Sequence, residues 1–238
     1  MSELILERLV VGYGDGAPVL DGLDLTVADG AVVALLGANG AGKTTLLRAL
    51  AGLTPARSGR ILLGGTDLTG LAPEDRVRRG LALVPEGRGV VVELTVEENL
   101  RLGALWRHRG AARQRALDEA FELFEPLARR RHAAGHTLSG GERRMLALAR
   151  ALIAGPDVLL LDEPSLGLAP LVTAHLLGVL HETAARTGTT VLLAEQNVTG
   201  ALSVADRGVV LNLGEVVADR PAAELSGDPR LRHAYLGF

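Results

Sequence analysis

The sequence predicts an α/β protein organised on a parallel sheet, and three observations carry that expectation. An unbroken apolar run, Ala31 to Leu36, leads into the glycine-rich stretch Gly37-Ala38-Asn39-Gly40-Ala41-Gly42-Lys43-Thr44 and then into a helical pattern over Lys43 to Ala51. A second apolar run, Val158 to Leu161, ends in the adjacent carboxylates Asp162 and Glu163. Strand and helix patterns then alternate to the end of the chain. Short apolar runs without polar alternation are buried on both faces, as strands of a parallel sheet are, and strand-helix alternation supplies the crossovers such a sheet needs.

Leu4 to Val10 and Val19 to Val27 read as strands, because Leu and Val partly alternate with polar residues between glycine-rich turns. Leu46, Leu47 and Leu50 fall on one side of the helix that follows the glycine loop. Ile61 to Leu63 and Leu81 to Val84 are short strands, with a helix near Pro73 to Arg79 between them. From about Thr95 to Arg150 strand signals vanish: Thr95-Val96-Glu97-Glu98 is a capping box opening one helix, and Ala111 to Phe124 forms another. This block reads as a helical insertion. Beyond Val158 to Leu161 come a helix over Leu171 to Ala185, a strand over Thr189 to Ala194, a helix over Val198 to Val204 and a hairpin around Asn212-Leu213-Gly214. Trp106 and Phe121 sit on helical periods and are expected in the core or against a partner, and Arg129-Arg130-Arg131 reads as a solvated face.

At 238 residues the chain is long enough for one full core, or one core with an insertion. A net charge of −3 gives no basic excess to attract nucleic acid. The absence of cysteine excludes disulfides, thiolate metal sites and a cysteine nucleophile, and fits a cytosolic chain. Met1-Ser2-Glu3-Leu4 lacks the basic segment and long apolar stretch of a signal peptide. No apolar run approaches the roughly 20 residues that span a bilayer, so a membrane role would have to come through a partner.

Of the 25 Lys and Arg residues only the one at position 43 is lysine. It closes the pattern G-x-x-x-x-G-K-[ST], which binds nucleoside triphosphates through a glycine-rich nest of backbone N–H groups and a lysine on the phosphates. A compact ammonium on a flexible stem fits inside such a loop, whereas a planar guanidinium is too wide. In a phosphate-loop protein an acid at the end of a neighbouring buried strand reaches Mg²⁺ together with the loop hydroxyl, which assigns Asp162 and Thr44. Glu163, one residue beyond, is placed to accept a proton from the water attacking the γ-phosphorus. Leu138-Ser139-Gly140-Gly141-Glu142 is a capping box with two glycines in the first helical turn. Each glycine costs the helix roughly 1 kcal/mol relative to alanine, but both leave its N–H groups open to an anion. Two separate anion-binding helix starts let one ATP lie between two copies of the chain.

Taken together these residues resemble the ATP-binding subunits of ABC transporters, over essentially the whole chain. Within that family they resemble the second ATPase of branched-chain amino acid importers, the LivF type. Val84-Pro85-Glu86-Gly87-Arg88, Leu94-Thr95-Val96-Glu97-Glu98-Asn99-Leu100, Asp162 to Pro170, Glu195-Gln196-Asn197 and Ala234-Tyr235-Leu236-Gly237 carry it. Urea and short-chain amide importers have closely similar subunits, so the solute stays open. The resemblance implies a phosphate-loop NTPase core of ABC type, approximately 1–86 and 155–238, with an N-terminal antiparallel β subdomain and a helical subdomain over approximately 87–154, all in one domain. It implies ATP and Mg²⁺ as cofactors, Tyr13 stacking on adenine, and nucleotide contacts from Gly37, Ala38, Asn39, Gly40, Ala41, Gly42, Lys43, Thr44 and Thr45. From a second copy it implies contacts by Ser139, Gly140, Gly141 and Glu142. Metal contacts fall to Thr44, Asp162 and Glu86, and catalysis to Glu163 and Gln196.

The implied partners are integral-membrane permease subunits, a second ABC ATPase subunit that is either a paralogue or the same chain, and indirectly a solute-binding protein, at the cytoplasmic face of the membrane. Four departures from the general family pattern bear on mechanism. Glu86 stands where most members have Gln, and Gln196 where most have His. Gln hydrogen-bonds a phosphate but does not titrate, which leaves Glu163 as the stronger base. Ser165-Leu166-Gly167-Leu168 lacks the common Asp, and Val90-Val91-Val92 lacks the expected aromatic in a region that would face the membrane subunit. Two competing readings are a soluble ABC ATPase acting on DNA or ribosomes, which the acidic balance and single set of motifs oppose, and a small-molecule kinase, which has no need of the Ser139-Gly140-Gly141 helix start; an exporter of the same superfamily stays open, since transport direction lies in the membrane subunits.

Overall fold

The computed structural model describes residues 3–87, 89–105 and 107–228; Arg88, Trp106 and Ala234 to Gly237 lie outside the described residues. In chain order the elements are β1 (Leu4–Val11), β2 (Leu20–Val27), β3 (Val32–Leu36), α1 (Lys43–Leu50), β4 (Ala56–Leu63), β5 (Thr66–Asp67), α2 (Pro73–Arg78), β6 (Leu81–Val84), α3 (Val96–Ala104), α4 (Gly110–Leu123), α5 (Glu125–Arg129), α6 (Gly140–Leu152), β7 (Val158–Asp162), α7 (Pro170–Thr187), β8 (Thr190–Ala194), α8 (Val198–Val204), β9 (Arg207–Asn212), β10 (Glu215–Pro221) and α9 (Ala222–Ser226). Among the described residues no helix is long and apolar enough to cross a membrane.

Two sheets organise these elements. β2, β1, β4 and β5 pair antiparallel in that spatial order. β4 begins at Ala56 rather than at Ile61, because its first half is largely exposed and is held by pairing with β1, not by an apolar pattern. The second sheet runs β10-β9-β3-β8-β7-β6, parallel except for the β9–β10 hairpin. Every residue of β3, β7 and β8 is buried, as their unbroken apolar sequences require. The two-residue period divides them between two cores. Val32, Ala34, Leu36, Leu159, Leu161 and Leu193 face the side shared with α3, α4 and α6 to α8, while Val33, Leu35, Leu160 and Leu192 face α1 and the antiparallel sheet.

Arg76 of α2 anchors the far end of the helix that carries the phosphate loop. It is 2% exposed, and its guanidinium donates to the Ala49 and Leu50 carbonyls of α1 and to those of Thr69 and Leu71. A cation at a helix C-terminus meets carbonyls that have no partner within the helix. The helical stretch from Val96 to Leu152 is tied to the loop after β6 by Asn99, which is fully buried and bonds both the N–H and the C=O of Val91. Next to it Glu97, 7% exposed, pairs with Arg101 and Arg131. The Arg131 guanidinium also lies 4.9 Å from the centre of the Phe121 ring. Phe121 is therefore core, as its helical period suggests. The arginine run is exposed at Arg129, which pairs with Glu125 in the open, whereas Arg131, half-buried, is drawn onto Glu97 and the Phe121 ring.

The hydrogen bond from Arg131 holds the Glu97 carboxyl below the usual carboxylate range. A depressed folded-state value stabilises the fold above the unfolded value of about 4.3 and loses that contribution as the pH falls through the folded value. Urea unfolding is expected to find Glu97→Gln less stable than wild type at neutral pH, with the gap shrinking below about pH 4. A gap of equal size at both ends of the titration would contradict this.

Candidate active site

The C-terminal ends of β3, β8 and β7 meet at one edge of the parallel sheet. Leu35 pairs with Ala194 across β3 and β8, and Asp162 pairs with Ala194 across β7 and β8. The glycine loop leaves β3, Asp162 and Glu163 end β7, and Gln196 follows β8. Gly37 runs so close to β9 that a Cβ on it would lie 2.4 Å from the Leu211 carbonyl oxygen, and Gly42 caps α1 at φ 108°. Glycine is required at both, by contact at the first and by left-handed backbone at the second.

Residues Asn39 to Thr45 line a cavity of about 660 Å³, together with Glu86, Glu163 and Gln196. Lys43 is 5% exposed; its ammonium donates to the Gly37 carbonyl at 2.7 Å and the Ala38 carbonyl at 3.2 Å, and lies 3.9 Å from Glu163 Oε1. Burial pushes its pKa down, with Glu163, Asp162 and Glu195 opposing the shift. Thr44 Oγ1 donates to Asp162 Oδ1 at 3.0 Å. Burial pushes the Asp162 carboxyl up, and the negative charges of Glu163 and Glu86 add to that, against the Thr44 hydrogen bond and Lys43. Hydroxyl and carboxylate oxygens in a locally acidic recess suit a hard divalent cation. Among the described residues no three metal-binding side chains cluster, so such a cation would share its shell with phosphate oxygens and water.

Gln196 Nε2 donates to both oxygens of Glu163, at 2.9 and 3.0 Å, and lies 2.6 Å from Asn39 Oδ1. The amide thus ties the carboxylate to the phosphate loop. The Tyr13 hydroxyl lies 3.3 Å from Thr45 Oγ1, while the residue as a whole is 53% exposed beside the loop.

The Ser139 helix start is not part of this cavity. The reciprocal capping box is present: Ser139 Oγ accepts from the Glu142 N–H at 3.2 Å, and Glu142 Oε2 accepts from the Ser139 N–H at 2.8 Å. It leaves the N–H groups of Gly140 and Gly141 without intrahelical acceptors. Ser139 and Gly140 are exposed, and nothing lies within 4 Å of the position a Gly140 Cβ would take. One chain therefore presents two separate anion-receptive surfaces.

Two charged residues beside the site escaped the sequence reading of its roles. Arg144 donates to the carbonyls of Glu163 and Pro164, and Glu195 accepts from the Ser165 N–H. Glu195 carries the same signal as Glu163, a carboxylate just after a fully buried strand. Arg144 carries none, because its partners are carbonyls distant in sequence.

Comparison with known proteins bears on this geometry. The profile of the ABC transporter family matches residues 20–166. The high-affinity branched-chain amino acid transport ATP-binding protein BraG of Pseudomonas aeruginosa is 45% identical over 234 residues, 98% of this chain and 99% of that one. The lipopolysaccharide export system ATP-binding protein LptB of Escherichia coli is 35% identical, covering 100% of this chain and 98% of the other. A bacterial ABC transporter cassette solved as a dimer superposes with a TM-score of 0.83 at 25% identity, over 92% of this chain and 98% of that one.

The tight enclosure of the Lys43 ammonium sets an expectation for Lys43→Arg. A fluorescent ATP analogue is expected to bind that variant at least about tenfold more weakly, because a guanidinium does not fit between the loop carbonyls and Glu163. Unchanged affinity would show that charge alone suffices.

Proposed function

The chain belongs to the ABC transporter family, and we propose that it powers uptake of branched-chain amino acids by hydrolysing ATP between two ATPase subunits. The solute rests on the likeness to BraG, which extends over 98% of this chain. The mechanism rests on one structural observation: Lys43, Thr44, Glu163 and Gln196 converge on one cavity, while the open Ser139 to Gly141 helix start lies elsewhere. One copy supplies the phosphate loop and the other the second anion-receptive helix start, so the triphosphate joins them. Two subunits closing on ATP act on permease subunits from the cytoplasmic face of the membrane. In this reading the sheets with their flanking helices form the nucleotide-binding core, and the stretch 87–154 forms the arm that presents the second helix start.

Within the site Lys43 and the loop N–H groups balance charge on the phosphates, and Tyr13 offers its ring to the adenine. Thr44 and Asp162, with Glu86 nearby, would hold Mg²⁺, which when bound supplies charge neutralisation at the phosphate oxygens. Glu163 accepts the proton of the water whose oxygen attacks the γ-phosphorus, and ADP departs. Gln196 holds the Glu163 carboxylate by its amide and links it to Asn39; it carries no proton itself. Closure is favoured with the γ-phosphate present and released once it is gone, because ATP stabilises the closed state more than ADP does.

In Glu163→Gln, steady-state hydrolysis is expected to fall by about a hundredfold or more while ATP affinity stays close to wild type. Near-normal turnover would remove Glu163 as the base. The likeness to LptB makes export the second reading. Vesicles containing the chain with its permease subunits separate the two: leucine-dependent stimulation of ATP hydrolysis, with leucine accumulating inward, is the predicted result, and stimulation by lipopolysaccharide instead would favour export.

A further inference from the structure

Glu163 adopts φ +48°, a left-handed backbone that side-chain-bearing residues take up only when their surroundings impose it. The surroundings that impose it are specific. The Glu163 N–H donates to the Ala194 carbonyl at 2.9 Å. Arg144 of α6 donates through Nη1 to the Glu163 carbonyl at 2.8 Å and to the Pro164 carbonyl at 3.3 Å. Two residues further along, Glu195 accepts the Ser165 N–H at 2.8 Å. Glu195 is 2% exposed and Ser165 6%. A carboxylate so buried persists only with its hydrogen bonds made, and Glu195 accepts them from Ser165 and from the backbone of Gln196 and Asn197. One carboxylate thus joins the segment after the base to the segment that carries Gln196.

We propose that Arg144 and Glu195 are positioning residues for hydrolysis, which hold the Glu163–Pro164–Ser165 backbone by its first two carbonyls and its last N–H and so aim the Glu163 carboxylate at Gln196 and Lys43. The proposal rests on the reading of Glu163 as the base. Arg144 and Glu195 touch neither nucleotide nor attacking water; they act through the backbone of the residue that does. Arg144 also stands one helical turn beyond Gly141, on the helix that presents the open N–H groups. The orientation of α6 and that of the base are linked through this side chain. Both bonds leave one nitrogen, Nη1, which the rigid guanidinium plane holds in place, whereas an ammonium swings on a flexible stem.

The test uses the full-length chain, with steady-state and single-turnover ATP hydrolysis, binding of a fluorescent ATP analogue, and thermal melting. Arg144→Ala and Glu195→Ala are each expected to lower kcat by about tenfold or more, the scale of one charge-assisted hydrogen bond, with ATP affinity within about twofold of wild type. Glu195→Gln keeps one oxygen for the Ser165 N–H but sets its NH2 against the other N–H groups, and should recover part of the loss, while Arg144→Lys should fall between alanine and wild type. Placed in a Glu163→Gln background, neither alanine substitution should slow the single-turnover rate further, since both act through Glu163. Wild-type kcat in both alanine variants, losses that multiply with that of Glu163→Gln, or no recovery in Glu195→Gln would overturn the clamp. If an alanine variant melts below the assay temperature, the Lys and Gln variants decide: unchanged kcat in Arg144→Lys together with a loss as great as tenfold in Glu195→Gln counts against it. Should Glu163→Gln alone hydrolyse at the wild-type rate, the base and the clamp fall together; normal alanine variants beside an impaired Glu163→Gln would remove the clamp only.

Discussion

Parallel pairing of β3, β8 and β7 is the constraint on which the site depends, because it brings three strand ends to one edge. Each end delivers a different chemical group: the phosphate loop, the Asp162-Glu163 pair and Gln196. A slip of one residue in either pairing would move a carboxylate by about 3.3 Å and turn its neighbours to the opposite face. The apolar residues that fix the register do so from both sides of the sheet, since alternate positions are needed in two different cores. Packing and catalysis are therefore secured by the same strands, and the chemistry begins where the apolar sequence stops.

Charge balance follows from that placement. The only lysine of the chain faces Glu163, Asp162 and Glu195, and burial lowers its pKa while raising those of Asp162 and Glu195. The side chains alone leave an acidic recess, which a triphosphate would enter against repulsion. The N–H groups of the glycine loop and the start of α1 supply positive potential without adding a side chain, and a divalent cation shared between Asp162, Thr44 and phosphate would remove the rest. The hydrogen bonds of Gln196 to Glu163 and Asn39 place a non-titrating amide where a charge would add to this imbalance.

Much of this was legible in the sequence, for reasons that can be named. The buried strands announce themselves as apolar runs, Leu81–Val84 and Val198–Val204 match their expected spans, and both capping boxes form as their spacing requires. Elements held by pairing or position alone were not legible: the exposed half of β4, the two-residue β5, and the five-residue helices α5 and α9 have too little periodicity to show. Family likeness brought in what pattern alone does not, such as the expectation that Tyr13 stacks on adenine. Arg131 and Arg144 eluded both routes, and Glu195, though part of the likeness, showed no role by either, since their partners come from segments brought together only by the fold. A charge that bonds across the fold is recognised by its neighbours, and sequence spacing does not supply them.

What the arrangement leaves open within one chain is as informative as what it closes. Glu163, Thr44 and Gln196 line the cavity of the phosphate loop, yet the glycine start of α6 is not part of that cavity, and in the proposed mechanism its complement is a second subunit. Sedimentation of the hydrolysis-blocked Glu163→Gln chain measures this directly, first alone and then with its sister ATPase. Saturating ATP should raise the sedimenting species to twice the 24.9 kDa mass of the chain, or to the mixed pair, and ADP should not. A species that stays at 24.9 kDa with ATP under both conditions would contradict the account.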